Sequence, residues 1–228
     1  MTPEEYRLLL HIDSPEDLKR LSAEELRAYC DELRRYIVDE CSVNPGHLAS
    51  SLGAVELAAA LHYVFDTPAD KIVWDVGHQS YTHKILTGRK DDFDHLRQYG
   101  GMSGFPKRTE SPCDSFDTGH SSTSISAGLG LAWARELQNE DYKVVSVIGD
   151  GALTGGMAYE AMNNAAALKK NFIIVLNDNN MSISENVGGM SRHLSKLRTS
   201  TNYVELKEGV QSSLEKIPVC LLYTSDAA

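Results

Sequence analysis

Apolar residues first recur at helical spacing between Leu21 and Asn44. Leu26, Tyr29, Cys30, Leu33, Ile37 and Cys41 fall on one stripe, the pattern of a helix laid against a core. Ser22 followed by Glu25 supplies a capping box at its start, and Asn44-Pro45-Gly46 ends it. The next periodic stretch, residues 51–65 (SLGAVELAAALHYVF), is apolar around most of its circumference and predicts a single buried helix. Residues 71–77 (KIVWDVG) read as a short buried strand, and HQSYTHKIL after them as a helix with a polar start. Residues 105–119 (FPKRTESPCDSFDTG) carry two prolines and no period, which predicts a long loop of the kind that is often functional. Helical patterning returns over 121–139, with small residues along one face that allow close approach of a backbone or a ligand.

The pattern then alternates strand (KVVSVIGD, 143–150), helix (151–170) and strand (NFIIVLND, 171–178). Both strands are apolar on both faces, as parallel strands between helix layers must be, and the three elements form a βαβ unit. The prediction is one α/β domain over residues 1–219: a doubly wound, mostly parallel sheet with helices on both faces.

Composition narrows the function more than the fold. In 228 residues, 32 acidic against 22 basic side chains give a formal charge of −10. That argues against a nucleic-acid partner, since such binding rests on Lys and Arg neutralising phosphates. The acidic N-terminus lacks the basic start and apolar core of a secretion signal, and no apolar run approaches the roughly 20 residues that span a bilayer. Cys30, Cys41, Cys113 and Cys220 show neither Cys-x-x-Cys nor zinc spacing, and read as reduced, mostly structural thiols. Together these features predict a soluble, cytoplasmic protein without a membrane or nucleic-acid partner.

Chemistry concentrates where the last two strands end. Asp150 closes one strand and Asn179 lies just beyond the next, 29 residues later, the length of one βαβ crossover. Ligands of open parallel sheets bind at these carboxyl ends. A carboxylate, an amide oxygen and backbone carbonyls are hard ligands suited to Mg²⁺ or Ca²⁺. Gly149 and Gly151 permit close backbone approach, and the helix that begins near Thr154 offers N–H groups to an anion. On the residues alone this reads equally as a metal-bridged diphosphate site and as two ordinary polar turns. GDGALTGG is neither a Rossmann fingerprint nor a P-loop. Of the eight histidines, His62 reads as a core residue and His11, His95 and His193 as surface residues. His47, His78 and His120 each sit in a loop at a helix start, where an imidazole can meet a ligand.

Gly149-Asp150-Gly151 followed by Asn177-Asp178-Asn179 resembles the GDG…N element of thiamine-diphosphate enzymes. DVGHQSYTHKILTGR, GGMSGFPKRTES, DTGHSSTSISAGLGLA and NDNNMSISENVGGMSRHLSKLRTS together resemble the N-terminal domain of the 1-deoxy-D-xylulose-5-phosphate synthase family, nearly end to end from Leu21 to Val219. Asn180 stands where the family often has Glu, and Ser80 where Ala is common; neither is an expected ligand. The resemblance implies the thiamine-diphosphate-binding fold, with thiamine diphosphate and Mg²⁺ as cofactors. It implies Asp150, Asn179 and the Met181 carbonyl as metal ligands. It further implies His78, Gly119, His120, Ser121, Gly151, Ala152 and Asn179 at the cofactor, and His47 in substrate binding or proton transfer; His83 is left outside this set.

The implied reaction decarboxylates pyruvate and transfers the two-carbon unit to D-glyceraldehyde 3-phosphate. It is the first step of non-mevalonate isoprenoid synthesis and also feeds thiamine and pyridoxal phosphate synthesis. The implied assembly is a homodimer when full-length. Pyrimidine-binding and C-terminal domains are absent from the chain, which is therefore expected to be inactive alone. Residues 220–228 (CLLYTSDAA) depart from the family and are expected to be a non-native tail. Two other readings stay open: the N-terminal part or subunit of a transketolase, and a non-catalytic cofactor-binding module.

Overall fold

The computed structural model describes residues 6–178 and, beyond them, 189, 192, 193, 196, 199–201, 203, 205–207 and 209. Helices α1 (Pro15–Leu18), α2 (Ala23–Val43), α3 (Leu48–Leu52) and α4 (Val55–Val64) precede strand β1 (Lys71–Trp74). After it come α5 (Tyr81–Lys84), two further short helical turns (Ile85–Arg89 and Lys90–His95), a long loop, α6 (Ser124–Gln138), β2 (Val144–Gly149), α7 (Gly156–Leu168) and β3 (Ile173–Asn177). The strands form one parallel sheet in the order β1-β2-β3, with Trp74 opposite Val147 and Gly149 opposite Asn177.

Period-two alternation gives the sheet two apolar faces. Ile72 and Trp74 of β1 and Val145 and Val147 of β2 pack with Ala58 and Leu61 of α4. On the opposite face Ile148 packs with Ile125 of α6 and with Ala158 and Ala161 of α7. Helices therefore cover both faces, as the doubly wound reading requires. The small-residue face of α6 lies against the sheet: a Cβ at Gly128 would meet Ser146 Oγ at 2.2 Å. A second core lies behind α4, where Leu26, Tyr29, Leu33 and Ile37 of α2 meet Val55, Ala59, Tyr81 and Ile85. With a core on each of two sides, α4 is apolar over most of its circumference, while Glu56 pairs with Arg34 and Val64 is exposed. The capping box at Ser22 forms in full, with the Glu25 N–H donating to Ser22 Oγ at 3.3 Å and the Ser22 N–H donating to Glu25 Oε2 at 2.9 Å.

Three expectations change. The single helix over 51–65 is instead α3 and α4, broken at Gly53 and Ala54. Glycine is a poor helix former, and the Ser50 and Ser51 hydroxyls each donate to the His78 carbonyl at 3.1 Å, drawing α3 toward the turn after β1. The helix expected from His78 starts at Tyr81, because Val76 (φ 58°) and Gly77 (φ 89°) first reverse the chain. Burial on both faces holds for β1 and β2 but not for β3, where Ile173, Ile174 and Leu176 are 39%, 37% and 37% exposed. β1 and β3 are both edge strands among the described residues, but α4 packs over Ile72 and Trp74 of β1, whereas of β3 only Val175 packs against a described apolar core.

Candidate functional site at the strand ends

The carboxyl ends of β1 and β2 carry two turns, and the loop before α6 lies between them. After β1, Gly77 is a forced choice: a Cβ there would meet Thr118 Oγ1 at 2.2 Å and Pro106 Cδ at 2.5 Å, and its φ of 89° favours glycine. Asp75, 1% exposed, accepts the Ser122 N–H at 2.7 Å through Oδ1 and the Ser124 N–H at 2.8 Å through Oδ2. After β2, the Asp150 N–H donates to the Asn177 carbonyl at 3.2 Å, which fixes the start of the 150–155 turn beside β3. Gly151 (φ −64°, ψ −46°) leads into a single turn of tight helix over Ala152–Thr154, and α7 begins at Gly156 without a side-chain cap. Uncapped first-turn N–H groups favour an anion.

Not every glycine here is explained by packing. A Cβ at Gly119 or Gly156 would meet nothing within 4 Å, and at Gly149 only the Asn177 carbonyl at 3.9 Å. None of the three has a left-handed φ. Glycine at these positions leaves room beside the turns that the protein does not fill.

His47 and His78 meet edge to face beside the β1 turn, ring centroids 5.9 Å apart. The His47 N–H donates to the Tyr81 hydroxyl at 3.0 Å, and Phe105 lies 5.2 Å from the His47 ring centroid. Nδ1 of both imidazoles is buried without a hydrogen-bond partner in the protein. Burial lowers both pKa values; Arg97 adds to this at His47, and His47 adds to it at His78 against the opposing pull of Asp75. Both rings are therefore neutral near pH 7, each able to accept a proton. His120 and Ser121 are exposed on the loop before α6, with His120 Nδ1 3.0 Å from the Ser121 carbonyl oxygen.

Behind this site lies a buried polar cluster. His62, as expected, is a core residue, and its ring bridges Thr67 (Nδ1 to Oγ1, 3.0 Å) and His83 (Nε2 to Nδ1, 2.8 Å). His83 Nε2 lies 2.7 Å from Asp114 Oδ1, and Arg89 grips both Asp114 oxygens at 2.7 and 2.8 Å. Lys84, fully buried, pairs with Glu110. Hydrogen bonds from His83 and Arg89 overcome burial and hold the Asp114 carboxyl well below the usual carboxylate range. Burial lowers both histidines, His62 further by the neighbouring His83, so the pair is neutral. Every proton of the two rings then has a place: His83 Nε2–H donates to Asp114, His62 Nε2–H donates to His83 Nδ1, and the Thr67 hydroxyl donates to His62 Nδ1. Asp114 and Glu110 also accept the Lys107 and Ser103 N–H groups, each at 2.7 Å. The cluster thus pins the loop that carries Phe105 against His47.

The structure brings together His47 and His78 beside the β1 turn. It also joins the 119–122 loop to the Asp150-Gly151-Ala152 turn, where the Ser122 hydroxyl donates to the Ala152 carbonyl at 2.6 Å. Asn179 and Met181 lie outside the described residues, as do residues 220–228. Among the described residues no group of three His, Cys, Asp or Glu could hold a metal, so Asp150 is the one expected side-chain metal ligand that can be placed. Cys30, Cys41 and Cys113 are free thiols, and burial raises the pKa of each. Sequence reasoning missed Asp75, Ser122 and Phe105. Asp75 had a usable signal, since it follows β1 as Asp150 follows β2.

The fold is that of the transketolase class. A transketolase from Leishmania mexicana superposes with a TM-score of 0.63 at 22% identity, over 85% of this chain and 34% of that one. The family model described as 1-deoxy-D-xylulose-5-phosphate synthase matches residues 9–226. The chain belongs to that family. It is 61% identical over 212 residues to the 1-deoxy-D-xylulose-5-phosphate synthase of Lachnoclostridium phytofermentans, covering 93% of this chain and 34% of the relative. It is 59% identical over 211 residues to that of Carboxydothermus hydrogenoformans, covering 92% and 34%. The chain thus spans about a third of the length of these curated relatives.

Proposed function

We propose that the protein of which this chain is the diphosphate-binding part is a 1-deoxy-D-xylulose-5-phosphate synthase. It takes pyruvate and D-glyceraldehyde 3-phosphate as substrates and works as a cytoplasmic homodimer. In this reading thiamine diphosphate supplies the carbanion chemistry that releases CO₂ from pyruvate and carries the two-carbon unit. Asp150, Asn179 and the Met181 carbonyl hold Mg²⁺, and hard oxygen ligands suit that ion. His78, Gly119, His120, Ser121, Gly151, Ala152 and Asn179 hold the cofactor. His47, neutral and with Nδ1 unpartnered, accepts or returns a proton at the substrate.

The observation that carries this reading lies at the strand ends: two buried imidazole nitrogens without partners at the turn after β1, and, in the loop before α6 and around the turn after β2, glycines that neither packing nor a left-handed φ explains. Those are the properties of a surface shaped for a polar ligand. The test is calorimetric titration of thiamine diphosphate with Mg²⁺ into the full-length protein and its Asp150→Ala variant. Turnover with pyruvate plus glyceraldehyde 3-phosphate is compared with turnover of a ketose donor. Binding abolished by Asp150→Ala, with pyruvate-dependent turnover in the wild type, supports the reading. Equal binding by the variant, or a preference for the ketose donor, overturns it.

A further inference from the structure

We infer that Asp75 and Ser122 are positioning residues that fasten the turn after β1, the loop before α6 and the turn after β2 into one cradle for the cofactor's diphosphate. The inference rests on the cofactor reading above and extends it to two residues that make no expected cofactor contact. Asp75 is anchored first: its N–H donates to the Val147 carbonyl at 2.8 Å, and its own carbonyl accepts from Gln79 Nε2 at 3.0 Å. Its side chain then takes the N–H groups of Ser122 and Ser124, doing for α6 the work that the N-cap residue Thr123 leaves undone. Helix caps are usually supplied locally. Here the cap comes from another strand, and so it joins two segments.

Ser122 carries the link onward. It holds a φ of 70°, uncommon for a residue with a side chain, is 6% exposed, and donates its hydroxyl to the Ala152 carbonyl at 2.6 Å. Gly155 makes the room: a Cβ there would meet Ser122 Oγ at 2.0 Å. Val76 beside Asp75 also holds a left-handed φ of 58°. Such backbone persists where surrounding contacts over-determine it, and it clusters at ligand sites. Exposed His120 and Ser121 thus stand on a loop whose base is bound to both strand ends, and the Thr123 hydroxyl closes that loop on the His120 carbonyl at 3.1 Å.

The test uses the full-length protein as wild type, Asp75→Asn, Ser122→Ala and the double variant. Thiamine diphosphate with Mg²⁺ is titrated calorimetrically, and amide hydrogen exchange over residues 119–124 is followed without cofactor. Each single variant should bind the cofactor about tenfold more weakly, the scale of one lost hydrogen bond, and exchange faster at Ser122 and Ser124. The double variant should bind no more weakly than the weaker single one, because the two links act in series. Wild-type affinity in both single variants overturns the inference. So does faster exchange with unchanged affinity, which would mark a merely structural role. If Asp75→Asn does not fold, Ser122→Ala alone decides. A wild type that does not bind the cofactor overturns the functional reading instead, and no such result follows from failure of this inference alone.

Discussion

Two groups of histidines, one fully buried and one half-buried, lie within one wall of this protein and have opposite fates. In the cluster of His62, His83, Asp114 and Arg89, each ring nitrogen has a partner within 3.0 Å and each ring proton a defined place. His47 and His78 are half-buried, and Nδ1 of each is shielded from water without a partner in the protein. A saturated polar cluster holds a fold together, whereas a buried polar atom left unpaired costs free energy until something outside the protein meets it. Satisfaction and depth of burial, rather than residue type, separate the structural histidines, fully buried and paired, from the candidate functional ones, half-buried and unpaired at Nδ1.

The sharpest way to break this contrast is to open the cluster of paired histidines. Asp114→Ala leaves Arg89 without its bidentate partner in a buried setting, and should cost about 3–5 kcal/mol in denaturant unfolding. A loss under about 1 kcal/mol would mean that the cluster does not hold the fold. The counterpart on the other side is His47→Gln. It should lower turnover at least a hundredfold, about 2.7 kcal/mol of transition-state stabilisation, while unfolding free energy changes by less than about 1 kcal/mol. Matched losses of stability and turnover would erase the distinction.

Acid should act on both groups, and the sign is fixed. Native His62 and His83 have pKa values below the ordinary 6.5, so as pH falls through that value the unfolded chain takes up protons before the native protein does. Stability is therefore full above about pH 6.5 and falls below it, by up to about 1.4 kcal/mol per pH unit for each proton. His47 and His78, also lowered, add in the same direction. Asp114, whose native pKa is depressed, adds a further loss once pH reaches the ordinary carboxylate range near 3.8. Unfolding measured from pH 7.5 to 5 on the wild type and on His62→Gln checks this: the variant should show the shallower slope, and equal slopes would show that the pair stays out of the titration.

Local pattern made much of this legible. The capping box at Ser22, the stripe of α2 and the βαβ unit from β2 to β3 are written in neighbouring residues, and each formed. His62 was readable as core from its apolar helix. The exposure of β3 was not readable, because Ile and Val look the same on a strand that helices cover as on one they leave open, and β1, equally an edge strand, is buried. Nor was the break at Gly53, which the hydroxyls of Ser50 and Ser51 secure through a carbonyl more than 25 residues away. The two tethers deepest in the site, Asp75 to Ser122 and His83 to Asp114, join residues 47 and 31 positions apart. No period marks such pairs. Even the family resemblance left them out, since it carried over contacts to a ligand and not the contacts that set those contacts in place.

Gly119 offers the smallest and most selective test. Its backbone is not left-handed, and a Cβ built there would meet nothing within 4 Å. By the folding argument alone, Gly119→Ala should cost nothing in the native state and should restrict the unfolded chain, raising stability by about 0.4–1 kcal/mol. By the ligand argument the same methyl group occupies space beside His120 and Ser121 that a diphosphate needs, so cofactor affinity should fall. The two arguments predict opposite signs for one substitution, which no purely structural role of the loop produces. Thermal unfolding without cofactor and calorimetric titration with thiamine diphosphate and Mg²⁺ read the two signs separately. Lower stability would show that the turn needs glycine for its own sake, and unchanged affinity would show that the ligand lies elsewhere. Higher stability with weaker binding would place Gly119 with His47 and His78, among the groups whose partner is not part of the chain.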